Sequence, residues 1–257
     1  MSFSKRCSFF KNKEPLESTL VYPYGGADLS GMNALVIAPH PDDESIGCGG
    51  SIIRHLRAGS HVRIIFLSDG QKGDFDGRFG EGYIEVRRTS SLNALAVLGV
   101  TDYEFWGYPD GELWRFRYEI FNKLKTDLKK LKAGVVYLPS PYEPHPDHRV
   151  GAWAGWRLWK KKKQRVAFYE VLAPLYPNII IDITSSAAAK RKAVSCYETE
   201  NSYNDYATKT EGLNRCRTFT LSPESAFAEA FMLVDADHVK KYKLPVDLLK
   251  TALKAII

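Results

Sequence analysis

Cysteine is sparse and scattered in this chain. Cys7, Cys48, Cys196 and Cys216 are the four present, and no two form a C-x-x-C pair. This argues against a disulfide framework and a thiolate metal site, and leaves reduced thiols as the expected state. Long apolar runs are also missing. No stretch approaches the roughly twenty residues needed to cross a bilayer, and Met1 to Thr19 mixes basic and aromatic residues without the apolar core of a secretion signal. The expected location is cytoplasmic. Internal repeats and low-complexity segments are lacking too, which sets repeat architectures aside.

What is there suits one large α/β domain: 257 residues, 44% hydrophobic and 26% charged, are enough to bury a sizeable core. The expected layout is a single domain over 1–257, with an N-terminal extension at 1–32, a core at 33–184 and peripheral elements at 185–257. The net charge of +6 is concentrated in clusters such as Lys160 to Lys163 and Lys190-Arg191-Lys192. A mild basic excess favours an anionic substrate or peripheral contact with a membrane surface. The lysine run carries no interleaved aromatics, so nucleic acid is not an expected partner.

From Asn33 onward, short apolar runs alternate with helical patterns, the signature of βα units and a mainly parallel sheet. Strands are expected at Ala34 to Ala38, Val62 to Leu67, Glu104 to Trp106, Val135 to Leu138, Val166 to Val171 and Ile179 to Ile183. Helices are expected at Ile46 to Arg57, Ile84 to Leu98, Arg117 to Leu131 and Arg149 to Lys162, with Gly59 and Gly99 closing two of them. The fold class is α/β, a Rossmann-like layered structure.

Two segments concentrate the chemistry. Pro39-His40-Pro41-Asp42-Asp43-Glu44 and Pro144-His145-Pro146-Asp147-His148 hold three of the six histidines, and each follows an apolar strand. His40 and Asp43 are three apart, as are His145 and His148. Such spacing lets one turn present two ligands to one ion, and a catalytic zinc takes three protein ligands with a fourth position open for water. Imidazole and carboxylate without thiolate suit Zn²⁺, and Fe²⁺ or another divalent metal would also be accepted. Both segments fall at the carboxyl ends of strands, where ligands of open α/β sheets collect. Spacing alone does not separate Asp42 from Asp43.

These segments, together with Gly47-Cys48-Gly49-Gly50, Ser68-Asp69-Gly70, Arg87-Arg88, Leu98-Gly99-Val100 and Gly107-Tyr108-Pro109-Asp110-Gly111, resemble the LmbE/PIG-L deacetylase superfamily. The resemblance covers approximately 33–183, and Ala228-Glu229-Ala230-Phe231 echoes a family feature near the C-terminus. Ser90 departs from it, standing where the family often has an acidic residue. The resemblance implies hydrolysis of an N-acyl group, mostly acetyl, on N-acetylglucosamine bound to a larger aglycone. It implies His40, Asp43 and His148 as zinc ligands and Asp42 as general base. His145 would stabilise the oxyanion, and Asp147 would orient or charge a histidine beside it. Arg87 and Asp110 are the expected substrate residues, Asp110 accepting from sugar hydroxyls and Arg87 pairing with an anionic aglycone; a surface salt bridge is the plainer reading of Arg87.

Two other classes compete. A non-catalytic zinc- or sugar-binding protein of this fold should have lost the base, whereas Asp42 and His145 are both present. A nucleotide-binding α/β protein would use Gly47 to Gly50 as a phosphate cradle, but G-x-G-x-x-G is not met and Asp42 to Glu44 would crowd negative charge there. The glycines instead suit close packing of helix on strand. Trp153, Trp156 and Trp159 suit the core better than a sugar platform. The long stretch from Asp69 to Gly82 is a candidate lid or substrate loop.

Overall fold

The computed structural model describes residues 26–162 and 164–236. Most of the N-terminal extension, the end of the lysine cluster and the last part of the peripheral region lie outside the described residues.

The sheet holds strands β1 (Ala34–Ala38), β2 (Val62–Ser68), β3 (Asp102–Tyr108), β4 (Val135–Pro139), β5 (Arg165–Tyr169), β6 (Ile179–Asp182) and β7 (Ala228–Val234). They lie in the order β3-β2-β1-β4-β5-β7-β6. Every pairing from β3 to β5 is parallel, as the alternation of strand and helix predicts. β7 is antiparallel to both β5 and β6. It is the strand that sequence periodicity does not announce.

The helices are α1 (Asp43–Arg57), α2 (Tyr83–Leu98), α3 (Leu113–Leu131), α4 (Pro146–Lys162), α5 (Ala187–Ser195), α6 (Glu198–Asn204) and α7 (Tyr206–Cys216). Side chains alternate across β1: Leu35 and Ile37 join the core under α3 and α4, and Ala34, Val36 and Ala38 join the core under α1, α2 and α5. The result is a layered sandwich of helices around a central sheet. Trp153 is buried in the first of these cores, with Trp156 and Trp159 packed against it, so the tryptophan series is core rather than platform.

Three helices begin earlier than periodicity predicts, at Asp43, Leu113 and Pro146 instead of Ile46, Arg117 and Arg149. Polar first turns hide two of them: Asp43, Glu44 and Asp147 occupy first turns of α1 and α4, where carboxylates meet the positive end of the helix dipole. Proline opens α4 at its first helical position, where the amide would have no intrahelical acceptor. Gly59 and Gly99 follow α1 and α2 with φ of +77° and +83°, as expected of helix-closing glycines.

Helix α1 presses on the sheet at its glycines. A Cβ on Gly47 would stand 2.2 Å from the Tyr169 ring, and one on Gly50 would stand 2.7 Å from Ile183. The helix breaks at Cys48 (φ −145°, ψ 20°), which frees amides in the next turn. Glu229 of β7 accepts from Gly50 N and Ser51 N, each at 2.8 Å, and its partner Lys190 approaches to 2.6 Å. The Ala228-Glu229-Ala230-Phe231 feature is thus an internal cap for a broken helix. The glycine run is a packing surface and not a phosphate cradle.

Candidate metal centre and active site

β1 and β4 are neighbours, and the chain leaves them toward opposite edges of the sheet, β1 to β2 and β4 to β5. The crevice beyond their carboxyl ends is the topological switch point of an open α/β sheet. Both histidine segments emerge there.

His40 Nδ1 lies 3.2 Å from His148 Nε2 and 3.4 Å from Asp43 Oδ2, and His148 Nε2 lies 3.3 Å from Asp43 Oδ1. A tetrahedral zinc with bonds of about 2.0–2.1 Å spaces its donors by about 3.3 Å. The outward nitrogens are committed elsewhere: His40 Nε2 meets Asp110 at 3.1 Å, and His148 Nδ1 meets Glu143 at 3.2 Å. With hydrogens on these outer nitrogens, as metal-binding imidazoles carry them, the two inner nitrogens would face each other and the Asp43 carboxylate, one nitrogen beside each of its oxygens. Burial works against charge on these rings, yet carboxylates outweigh it: Asp110, Asp147 and Asp43 hold His40 well above its usual range, and Asp43 and Glu143 hold His148 up at about 9. The donor set therefore fits a divalent metal. His145 also comes close enough to His40 and His148 to be a donor, as do Asp110 and Asp147 to His40.

Asp42 and Asp43 are adjacent yet face different surroundings. Asp43 is buried, and despite that burial His148 and His40 hold its carboxyl far below the usual range. Burial pushes Asp42 up to about 8, against the pull of Arg87. Asp42 also has φ of +132°, a strained conformation for a residue with a side chain. Glu44 accepts its amide at 3.2 Å, and Arg87 Nη2 holds its Oδ2 at 3.1 Å. Glu44, which had no role in the sequence reading, is a support for this turn, itself fixed by Tyr197 at 2.7 Å.

His145 is packed edge-on against His40, with ring centroids 4.5 Å apart. Its Nδ1 accepts the Asp147 amide at 3.2 Å, which leaves hydrogen on Nε2. Burial is the largest cause lowering its pKa, and with its hydrogen on Nε2 the neutral ring can donate. The histidine beside the Asp147 carboxylate is His40, at 3.4 Å. That carboxylate also accepts from Gly111 N at 2.7 Å and Leu113 N at 3.2 Å, and so caps α3.

Two residues expected to face the substrate are tied inward. Both line the cavity, of about 510 Å³, that opens over the histidines. Arg87, however, is 4% exposed and is held by carboxylates on both sides, Asp42 at 3.1 Å and Glu200 at 3.1 Å. This removes the surface salt-bridge reading and leaves no unbalanced charge for an anionic aglycone. Asp110 accepts from Lys72 N at 3.0 Å as well as meeting His40. Burial opposes its charge, but His40 and Lys72 bring its pKa down to about 2. The Asp69 to Gly82 stretch lines the same cavity through Lys72, Gly73 and Phe75. It is pinned to α6, where the Tyr203 hydroxyl donates to Asp76 at 2.6 Å.

Two acidic residues, Glu143 and Glu200, escaped the sequence reading. Glu143 precedes the second segment directly, and its place between Pro141-Tyr142 and Pro144 was the available signal. It binds His148 and the amides of Val171, Leu172 and Ala173. Glu200 arrives from a distant part of the chain and carries no local signature, whereas Glu229 lies in the Ala228-Glu229-Ala230-Phe231 feature that the sequence marks without giving it a role.

Residues 35–159, which include both histidine segments, match the family described as PIG-L: GlcNAc-PI de-N-acetylase. Diacetylchitobiose deacetylase of Thermococcus kodakarensis is 30% identical over 188 residues, spanning 65% of this chain and 69% of that protein. The chain belongs to the PIG-L family. Its members here are amino-sugar N-deacetylases, and this chain is an N-deacetylase of that class. The structure of N,N′-diacetylchitobiose deacetylase from Pyrococcus horikoshii superposes with a TM-score of 0.69 at 24% identity, covering 80% of this chain and 85% of that one. GalB, the 4-carboxy-2-hydroxymuconate hydratase of Pseudomonas putida KT2440, superposes with a TM-score of 0.66 at 22% identity, covering 79% and 96%. The fold therefore hosts more than one chemistry, and the activity is argued from the site.

Proposed function

We propose that the protein is a zinc-dependent hydrolase that removes the acetyl group of an N-acetylglucosamine unit carried on a larger aglycone. The observation that carries this reading is the buried convergence of His40, Asp43 and His148 at about tetrahedral spacing, with Asp42 and His145 flanking it. His40, Asp43 and His148 would hold the metal. Zinc, when bound, supplies a Lewis acid that polarises the amide carbonyl and lowers the pKa of water toward about 7.

Asp42 accepts a proton from the attacking water as its oxygen bonds to the carbonyl carbon. The same carboxyl then returns the proton to the nitrogen as the C–N bond breaks, so the amine and acetic acid leave, the acid losing its proton to water as acetate. Burial raises the pKa of this carboxyl, and a raised carboxyl holds a transferred proton more readily than an exposed one. His145 donates from Nε2 to the oxygen on which charge develops, and one such donor is worth about 2.7–4 kcal/mol of transition-state stabilisation. Asp110 and Asp147 orient His40, and Glu143 orients His148. Arg87 holds Asp42 in its strained turn. Arg87 and Asp110 also line the cavity, so these positioning roles stand beside the substrate contact expected of them.

The test is a product-amine assay of zinc-loaded protein on N-acetylglucosamine carrying methyl, saccharide, inositol and lipid-diphosphate aglycones. Amine release from at least one, lost on chelation and restored by zinc, is the expected result. No amine from any of them would overturn the reading.

A further inference from the structure

Among the described residues that line the cavity, two large apolar side chains stand exposed, Phe75 at 80% and Leu172 at 44%. Phe75 comes from the connection between β2 and α2, and Leu172 follows β5. Apolar residues scattered singly over a surface need no explanation, whereas apolar groups gathered on one cavity are how such cavities hold a ligand.

Neither residue sits on a loose tip. On one side of Phe75 the Lys72 amide donates to Asp110 at 3.0 Å. On the other, Asp76 accepts from the Tyr203 hydroxyl at 2.6 Å and pairs with Arg78 at 2.6 Å. The Phe75 ring itself meets the Tyr203 ring edge to face, with centroids 5.5 Å apart. Leu172 is fixed by its amide, which donates to Glu143 at 3.0 Å. Asp110 and Glu143 are the carboxylates that meet His40 and His148, so both apolar side chains are tied to the metal donors through a single residue. A surface held in this way binds without a further ordering cost.

The exposure of the pair selects the ligand. An alkyl chain laid against residues this open would keep much of its surface in water. A pyranose ring can rest its C–H face on the phenyl ring and leave its hydroxyls in solvent. An anionic group would depend on Lys72, since Arg87 is held between Asp42 and Glu200. We propose that Phe75 and Leu172 form a subsite for the aglycone, and that it takes a neutral pyranose stacked on Phe75. This rests on the amino-sugar reading of the site, and makes the substrate a saccharide that carries N-acetylglucosamine.

The test compares N-acetylglucosamine bearing methyl, glucose, octyl or phosphate at its anomeric oxygen, on the wild type, Phe75→Ala, Leu172→Ala and Phe75→Trp. Apolar contact of this kind is worth about fivefold to tenfold. The kcat/KM ratio of the glucose conjugate to the methyl glycoside should be about that large in the wild type and in Phe75→Trp. It should fall to about twofold or less in Phe75→Ala, through KM, and fall part of the way in Leu172→Ala. With metal removed to prevent turnover, the indole added in Phe75→Trp should shift its emission to the blue on binding the glucose conjugate. A wild-type ratio near one, or a ratio unchanged in Phe75→Ala, overturns the proposal. So does an octyl glycoside that depends equally on Phe75, or a phosphate preferred without regard to it. No amine from any conjugate, with the indole shift present, would remove the hydrolytic reading and leave the subsite standing; loss of both would remove both.

Discussion

The parallel part of the sheet, β1 to β5, and the antiparallel edge, β6 and β7 with α5 to α7, contribute to one site in different ways. The parallel part brings its donors together by local spacing: His40 with Asp43 after β1, and His145 with His148 after β4, on strands that pair directly. The edge supplies single carboxylates across long sequence separations, Glu200 to Arg87 and Glu229 to the break in α1. Chemistry is thus written in short motifs, and the framework that holds it is written in contacts that no motif records.

Substitutions that separate the two parts sharpen this division. Glu229→Ala should have the largest effect on stability. It leaves Lys190 buried without its partner and two amides of α1 without an acceptor, a loss of about 3–5 kcal/mol, read from denaturant unfolding. Where the variant remains folded, its metal affinity should match the wild type. A large change in metal affinity in the folded variant would erase the distinction between framework and chemistry.

Glu143→Gln should act the other way. Removing the carboxylate that orients a metal-binding histidine costs about tenfold to a hundredfold in metal affinity. Competition with a chelator measures this, and the midpoint of unfolding of the metal-free protein should move little by comparison. An unchanged metal affinity would mean that Glu143 serves only the backbone of Val171 to Ala173.

The smallest effect belongs to His55, remote from the metal donors. Its Nδ1 donates to the Met32 carbonyl at 2.9 Å and its Nε2 accepts from the Tyr137 hydroxyl at 2.9 Å. Burial lowers its pKa below the usual 6.5. The unfolded chain therefore binds this proton more readily than the folded one, and stability is lost as pH falls below about 6.5. Unfolding of His55→Gln should show a shallower acid-side decline. An identical pH profile would remove His55 from the account.

The sequence made the parallel strands and both histidine segments legible because each is a short apolar run followed by a polar turn. It did not reveal β7, whose apolar run Ala228 to Val234 contains a buried Glu229 and returns antiparallel. The small helices α5 to α7 were equally quiet: α6 is the polar run Glu198 to Asn204. Arg87 lines the cavity, but its two buried carboxylate partners lie 45 and 113 residues away in sequence, and only the fold shows that they hold its charge.

The division of labour between adjacent aspartates is the central claim, and metal content with kcat in matched Asp42→Asn and Asp43→Asn preparations tests it most directly. The account gives about one metal per chain in Asp42→Asn with kcat lowered about 10²–10⁴-fold, and loss of the metal in Asp43→Asn. Metal retained by Asp43→Asn and lost from Asp42→Asn would contradict it.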